Sequence, residues 1–181
     1  MTVSSTDLYA NLRRALDPSM KAASYKRLKG SRPAWSGALG NKVVVVHFAV
    51  SQSGWSAAYG SQFTLNFDLH DKPVAYNSAH LKRLGKLLSP EDLELVRELD
   101  NAVLKSLPGP RRGDPLSALP ADVLLQLKLS HSPRAAPYSA GQDIWMHYYS
   151  LDDVATWARF LEPRMVSMAS AYIAGLSSDG S

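Results

Sequence analysis

The chain has 181 residues, 45% hydrophobic and 20% charged, a size and balance that fit one domain with one core and exclude a disordered, collagen-like or heavily charged polypeptide. Cysteine is absent, which removes disulfides, thiolate nucleophiles, iron–sulfur clusters and thiolate zinc sites and leaves only His and carboxylates as metal ligands. The formal net charge of +4 is unevenly spread: residues 1–42 carry Arg13, Arg14, Lys21, Lys26, Arg27, Lys29, Arg32 and Lys42 against Asp7 and Asp17, a basic end that suits phosphate or an acidic partner and equally an ordinary solvated face.

Met1 to Thr6 is polar and lacks the basic-then-apolar pattern of a secretory peptide, and the densest apolar run, Val43 to Val50, contains His47 and is far shorter than the roughly 20 residues of a spanning helix. A cytoplasmic protein without membrane attachment is expected. Leu8, Leu12 and Leu16 recur every fourth residue behind Ser4, Ser5 and Thr6, which predicts a short amphipathic helix ending near Asp17-Pro18. Trp35 to Leu39 predicts a short strand, with Gly40-Asn41 as the turn into the next. Lys42 to Ser51 is rich in β-branched residues, and Gln62 to His70 alternates strictly, with Phe63, Leu65, Phe67 and Leu69 on one face and Thr64, Asn66, Asp68 and His70 on the other. Between these strands, the 52–61 loop carries Trp55 and Tyr59 bracketed by Gly54 and Gly60.

The second half reads as mainly helical. Leu81, Leu84 and Leu88 predict a short helix. Ser89-Pro90-Glu91-Asp92 supplies a cap, a first-turn proline and early acids for a helix that buries Leu93, Val96, Leu99, Ala102 and Val103. Residues 107–120 form a Pro/Gly-rich connector, and Ala121 to Leu129 follows as a helix, although its alternating leucines also suit a strand. Asp143 to Tyr149 predicts a strand, and Ser150 to Asp153 has capping-box spacing for a final helix that Pro163 should kink or divide. The tail should fray from about Gly175. The expected architecture is a single α+β domain over residues 1–181, a mostly antiparallel sheet of about four strands with helices on one face.

The apolar strand, Gln52-Ser53, the Gly60 to Phe67 phrase, Arg83-Leu84-Gly85-Lys86-Leu87 and the Trp145 to Asp153 piece occur in an order that resembles the bacterial family catalogued as domain of unknown function 4304. The resemblance spans roughly residues 6–165 and implies an N-terminal helix, a strand meander and a late strand leading into a helix. The 107–120 segment departs from the family pattern. The family implies a fold and supplies no catalytic residues.

No phosphate-binding loop, dinucleotide fingerprint, nucleophile elbow or zinc-protease phrase occurs, so no cofactor is expected. Strand parity places His47, Asp68, His70 and His147 on the sheet face opposite the helices, where two imidazoles and a carboxylate would bind a metal or shuttle protons if they converged; scattered polar residues on a solvated face are the simpler account. Trp55 and Tyr59, with Arg27, Lys29 and Arg32, offer an aromatic and cationic surface for an acidic protein or nucleic acid, provided the loop does not fold back over the sheet. The function expected is protein binding through the open sheet face and the 52–61 loop, in the manner of an immunity protein. The alternatives are a metal-assisted or general acid–base enzyme using His47, Asp68 and His147, and a sequence-tolerant nucleic-acid binder using the basic N-terminal segment.

Overall fold

The computed structural model describes residues 2–74, 79–111 and 115–178. Helix α1 (Ser5–Ala22) starts at a capping box in which the Ser4 hydroxyl accepts the Asp7 N–H and the Asp7 carboxylate accepts the Ser4 N–H. It runs through Pro18 instead of ending there. A proline forfeits one helical hydrogen bond, but the apolar stripe continues past it: Met20 is as fully buried as Leu8, Leu12 and Leu16. Asp17 also accepts the indole N–H of Trp35 at 2.8 Å, which ties this turn to the sheet.

The sheet has six antiparallel strands, β1 (Lys26–Arg27), β2 (Ala34–Leu39), β3 (Lys42–Val50), β4 (Ser61–His70), β5 (Lys82–Arg83) and β6 (Met146–Tyr148). The first five lie in chain order. β6 also pairs with β4, so one edge of β4 is divided between β5, opposite Asn66 and Phe67, and β6, opposite Ser61 to Phe63. The sequence pattern leads to about four strands because β1 and β5 are two residues long and show no periodicity. In place of the expected helix over Leu81 to Leu88 there is β5 and a single 3-10 turn, Leu84–Lys86. Gly85 in that turn lies so close to the 139–142 segment that a Cβ would fall 2.1 Å from the Gln142 carbonyl oxygen.

Helix α2 (Pro90–Ser106) is capped by Ser89 and buries Leu93, Val96, Val103 and Leu104; Ala102 is exposed, and Asp100 and Asn101 are buried in its place. Residues 115–118 of the Pro/Gly-rich connector form one 3-10 turn, and residues 112–114 lie outside the described residues. Helix α3 (Ala121–Ser130) has no buried residue. Helix α4 (Leu151–Leu161) opens on the Ser150–Asp153 capping box, and the chain breaks at Pro163 before α5 (Met165–Ser178). Helix α5 is described as far as Ser178, and residues 179–181 lie outside the described residues.

Alternation puts Trp35, Val46 and Phe67 in register on one face of the sheet, alongside Phe48, Phe63 and Leu65, and this face packs with α1, α4 and α5 into one apolar cluster. The opposite face, expected to be open, is not. Val45, Thr64 and Asp68 are completely buried there, and Asn66, His47 and His70 are 1%, 2% and 5% exposed. Polar alternation along a strand says which side chains share a face, and it does so equally for a solvated face and for a covered polar layer.

Candidate functional site

The register of the sheet decides the spacing of the candidate residues. His47 on β3 stands opposite Asn66, with Asp68 two residues further along β4 and the His70 Nε2 3.6 Å from the Asp68 carboxylate. His147 on β6 stands opposite Gln62. It shares the face of His47, but four residues along the strand direction at about 3.3 Å each already set them ~13 Å apart, and β4 lies between their two strands, too far for a shared metal or proton. Among the described residues no group of three or more His, Cys, Asp or Glu side chains could hold a metal ion. Neither ring nitrogen of His47 has a hydrogen-bond partner among the described residues, nor has Thr64 Oγ1 or Asn66 Oδ1. Burial lowers the His47 pKa to about 4, against the pull of the Asp68 carboxylate and with the charges of Arg32 and His70 adding to the depression. His47 is therefore neutral at pH 7.

The groups that do converge come from α2 and β6. His147 donates its main-chain N–H to Asp100 Oδ1 at 2.9 Å, and its Nδ1 lies 2.9 Å from the same oxygen. Tyr138 donates its hydroxyl to Asp100 Oδ2 at 2.8 Å. The Gln62 amide nitrogen, which can only donate, lies 2.8 Å from His147 Nε2, so Nε2 is the acceptor and the ring proton sits on Nδ1, facing Asp100. Burial and the Asp100 carboxylate both push the Tyr138 pKa up, which keeps its hydroxyl protonated. The indole of Trp157 on α4 donates to the His147 carbonyl at 2.7 Å and locks β6 in place. Asp100, Tyr138 and Gln62 were missed in the sequence. Asp100 did leave a signal: it occupies the stripe position between Val96 and Val103, an acid where α2 should be apolar.

Gln62 opens onto a cleft of about 370 Å³ between the 51–60 loop and α3. Tyr59, only 9% exposed, stacks on His131 with ring centroids 4.4 Å apart, and His131 meets the edge of His147 at 5.4 Å. The loop folds back rather than projecting: Trp55 is half-buried, its indole donates to the Tyr149 carbonyl at 3.3 Å, and its ring lies 5.5 Å from that of Tyr149. Arg27, Lys29 and Arg32 are exposed on β1 and the β1–β2 connection, with Arg27 paired to Asp17 at 3.4 Å. Two strands separate β1 from β4, and Trp55 and Tyr59 are fastened to groups beyond β4, so the aromatic and cationic candidates do not form one surface. No family model, curated protein or solved structure matches this chain. No helix among the described residues is long and apolar enough to cross a membrane.

Proposed function

We propose that this is a cytoplasmic protein-binding domain that docks through α3. The observation that carries it is the exposure of that helix: none of its ten residues is buried, and Val123, Leu125 and Leu129 are 38%, 57% and 65% exposed. They are the large hydrophobic side chains that stand exposed among the described residues. A helix this short and this apolar gains most of its stability from burying a face, and aliphatic side chains on a rigid helix are the anchors that helix-in-groove recognition uses. Asp122 stands exposed at the N-terminal end of the helix and Lys128 at its C-terminal end, so the partner is a protein whose apolar groove carries an acidic group where it meets the Lys128 end.

The test is photo-crosslinking in the native cell from a benzoylphenylalanine at position 125 or 129, with position 21 on exposed α1 surface as the control. A heteromeric adduct specific to α3 is expected. Titration of that protein against the purified domain should then show binding weakened at least about tenfold, or about 1.4 kcal/mol, by Leu125→Ser with Leu129→Ser. A self-adduct, an adduct shared with position 21, or unchanged affinity of the double variant sinks the proposal.

A further inference from the structure

The cleft beneath α3 raises a question separate from the outer face of the helix. No Asp, Glu, Lys or Arg lines it among the described residues. Burial, with the nearby His147 adding, holds His131 below the usual imidazole range despite its hydrogen bond to the Leu127 carbonyl and the Asp100 charge. The described walls therefore carry no charge at neutral pH. An ion entering between them would lose hydration and meet no counter-charge among the described residues, whereas a neutral polar molecule would exchange water for hydroxyls and amides.

Those groups are already oriented. Gln62 spends one amide hydrogen on His147 Nε2, and its Oε1 and second amide hydrogen make no hydrogen bond to the described residues. Because His147 is in turn held by Asp100, the carboxamide is fixed before any ligand arrives. His131 commits its Nδ1 to the Leu127 carbonyl at 2.8 Å, which leaves Nε2 as an acceptor. The Ser51 and Ser56 oxygens accept main-chain N–H groups from Ser53 and Tyr59, leaving both hydroxyl hydrogens to donate. One carboxamide edge with a donor and an acceptor side by side matches another amide, and a volume of about 370 Å³ holds a single polar ring, near the lower end of the roughly 300 to 1,000 Å³ of small-molecule sites.

We propose that this cleft binds an uncharged ring compound bearing an amide, either a pyrimidine-type nucleobase or an acetamido sugar, with Gln62 pairing to the amide and the Tyr59–His131 pair forming one wall. The preorganised carboxamide supplies selectivity, since a ligand lacking the amide would leave Gln62 desolvated and unpaired. The proposal does not depend on α3 docking, and either can fail alone.

An NMR titration of the ¹⁵N-labelled full chain tests it, with uridine and N-acetylglucosamine as probes and benzoate as the charged control. Saturable shifts of the Gln62 side-chain amide and the His131 ring are expected with at least one neutral probe. Uridine alone identifies the nucleobase, and N-acetylglucosamine alone the sugar. Gln62→Met should weaken binding at least about tenfold; if that variant melts early, His131→Phe keeps the stack, removes the Nε2 acceptor and should weaken binding likewise. Absence of shifts with both probes up to about 10 mM, near the weak limit of specific binding, equal shifts with benzoate, or undiminished binding by the folded variant overturns the proposal.

Discussion

Asp100 accepts both the main-chain N–H and the ring Nδ1–H of His147, so that one carboxylate on α2 fixes the position of β6 and the tautomer of its histidine. The same carboxylate takes the Tyr138 hydroxyl. Three donors from two segments distant in sequence depend on it, in a place that is 1% exposed.

Asp100→Ala should therefore be among the most damaging single changes in this protein. Truncating one member of a buried charged network leaves the others desolvated and unpaired, at a cost of about 3 to 5 kcal/mol. A urea melt measures this, and a loss below about 1 kcal/mol would show that the network contributes little to stability.

His47 gives stability a dependence on pH. Its folded pKa of about 4 lies below the unfolded value of 6.5, so the unfolded chain binds the proton more readily and stability falls as pH falls. The contribution is complete above about pH 6.5 and disappears progressively towards pH 4. At 1.36 kcal/mol per pH unit the loss amounts to roughly 3 kcal/mol. His47→Leu should remove that slope and, by replacing two unpartnered ring nitrogens with methyl groups, cost little stability at pH 7. Urea melts of both proteins at pH 7, 5.5 and 4.5 decide it; parallel pH profiles would remove His47 as the source.

Trp55→Ala should cost about 1 to 2 kcal/mol, between the roughly 0.5 of an ordinary surface change and the 3 to 5 of a fully buried Trp. The ring is half-buried on Tyr149 and its indole N–H is bonded. Thermal or chemical melts give the value directly, and a loss under 0.5 kcal/mol would mean that the loop stands free in solution.

Much of the fold was legible where a period and a cap coincide. Leu8, Leu12 and Leu16 behind Ser4, and Ser150 to Asp153 ahead of Val154 and Trp157, marked α1 and α4 because their burial repeats with the helix. Strand parity likewise placed Phe63, Leu65 and Phe67 in the core. The burial of His47, Asn66 and Asp68 was not legible, since what covers a sheet face comes from elsewhere in the chain. The candidate site was mostly hidden for a similar reason. Its bonds join Gln62, Asp100, Tyr138 and His147 across long stretches of sequence, and Asp100 alone broke a local pattern. Trp55 and Tyr59 were recognisable as aromatics on a loop, but the partners that turn them inward, Tyr149 and His131, lie far downstream.

The divided edge of β4 also bears on how the chain folds. β2, β3 and β4 join through a tight turn and one loop, so their pairing closes short loops and can form early. β6 reaches the Ser61 to Phe63 half of β4 only after α2 and α3 have been made. During synthesis that half-edge, which includes the apolar Phe63, has no strand beside it. Unpaired edges of this kind template pairing between chains, and the late arrival of Met146 to Tyr148 is what closes that route to aggregation.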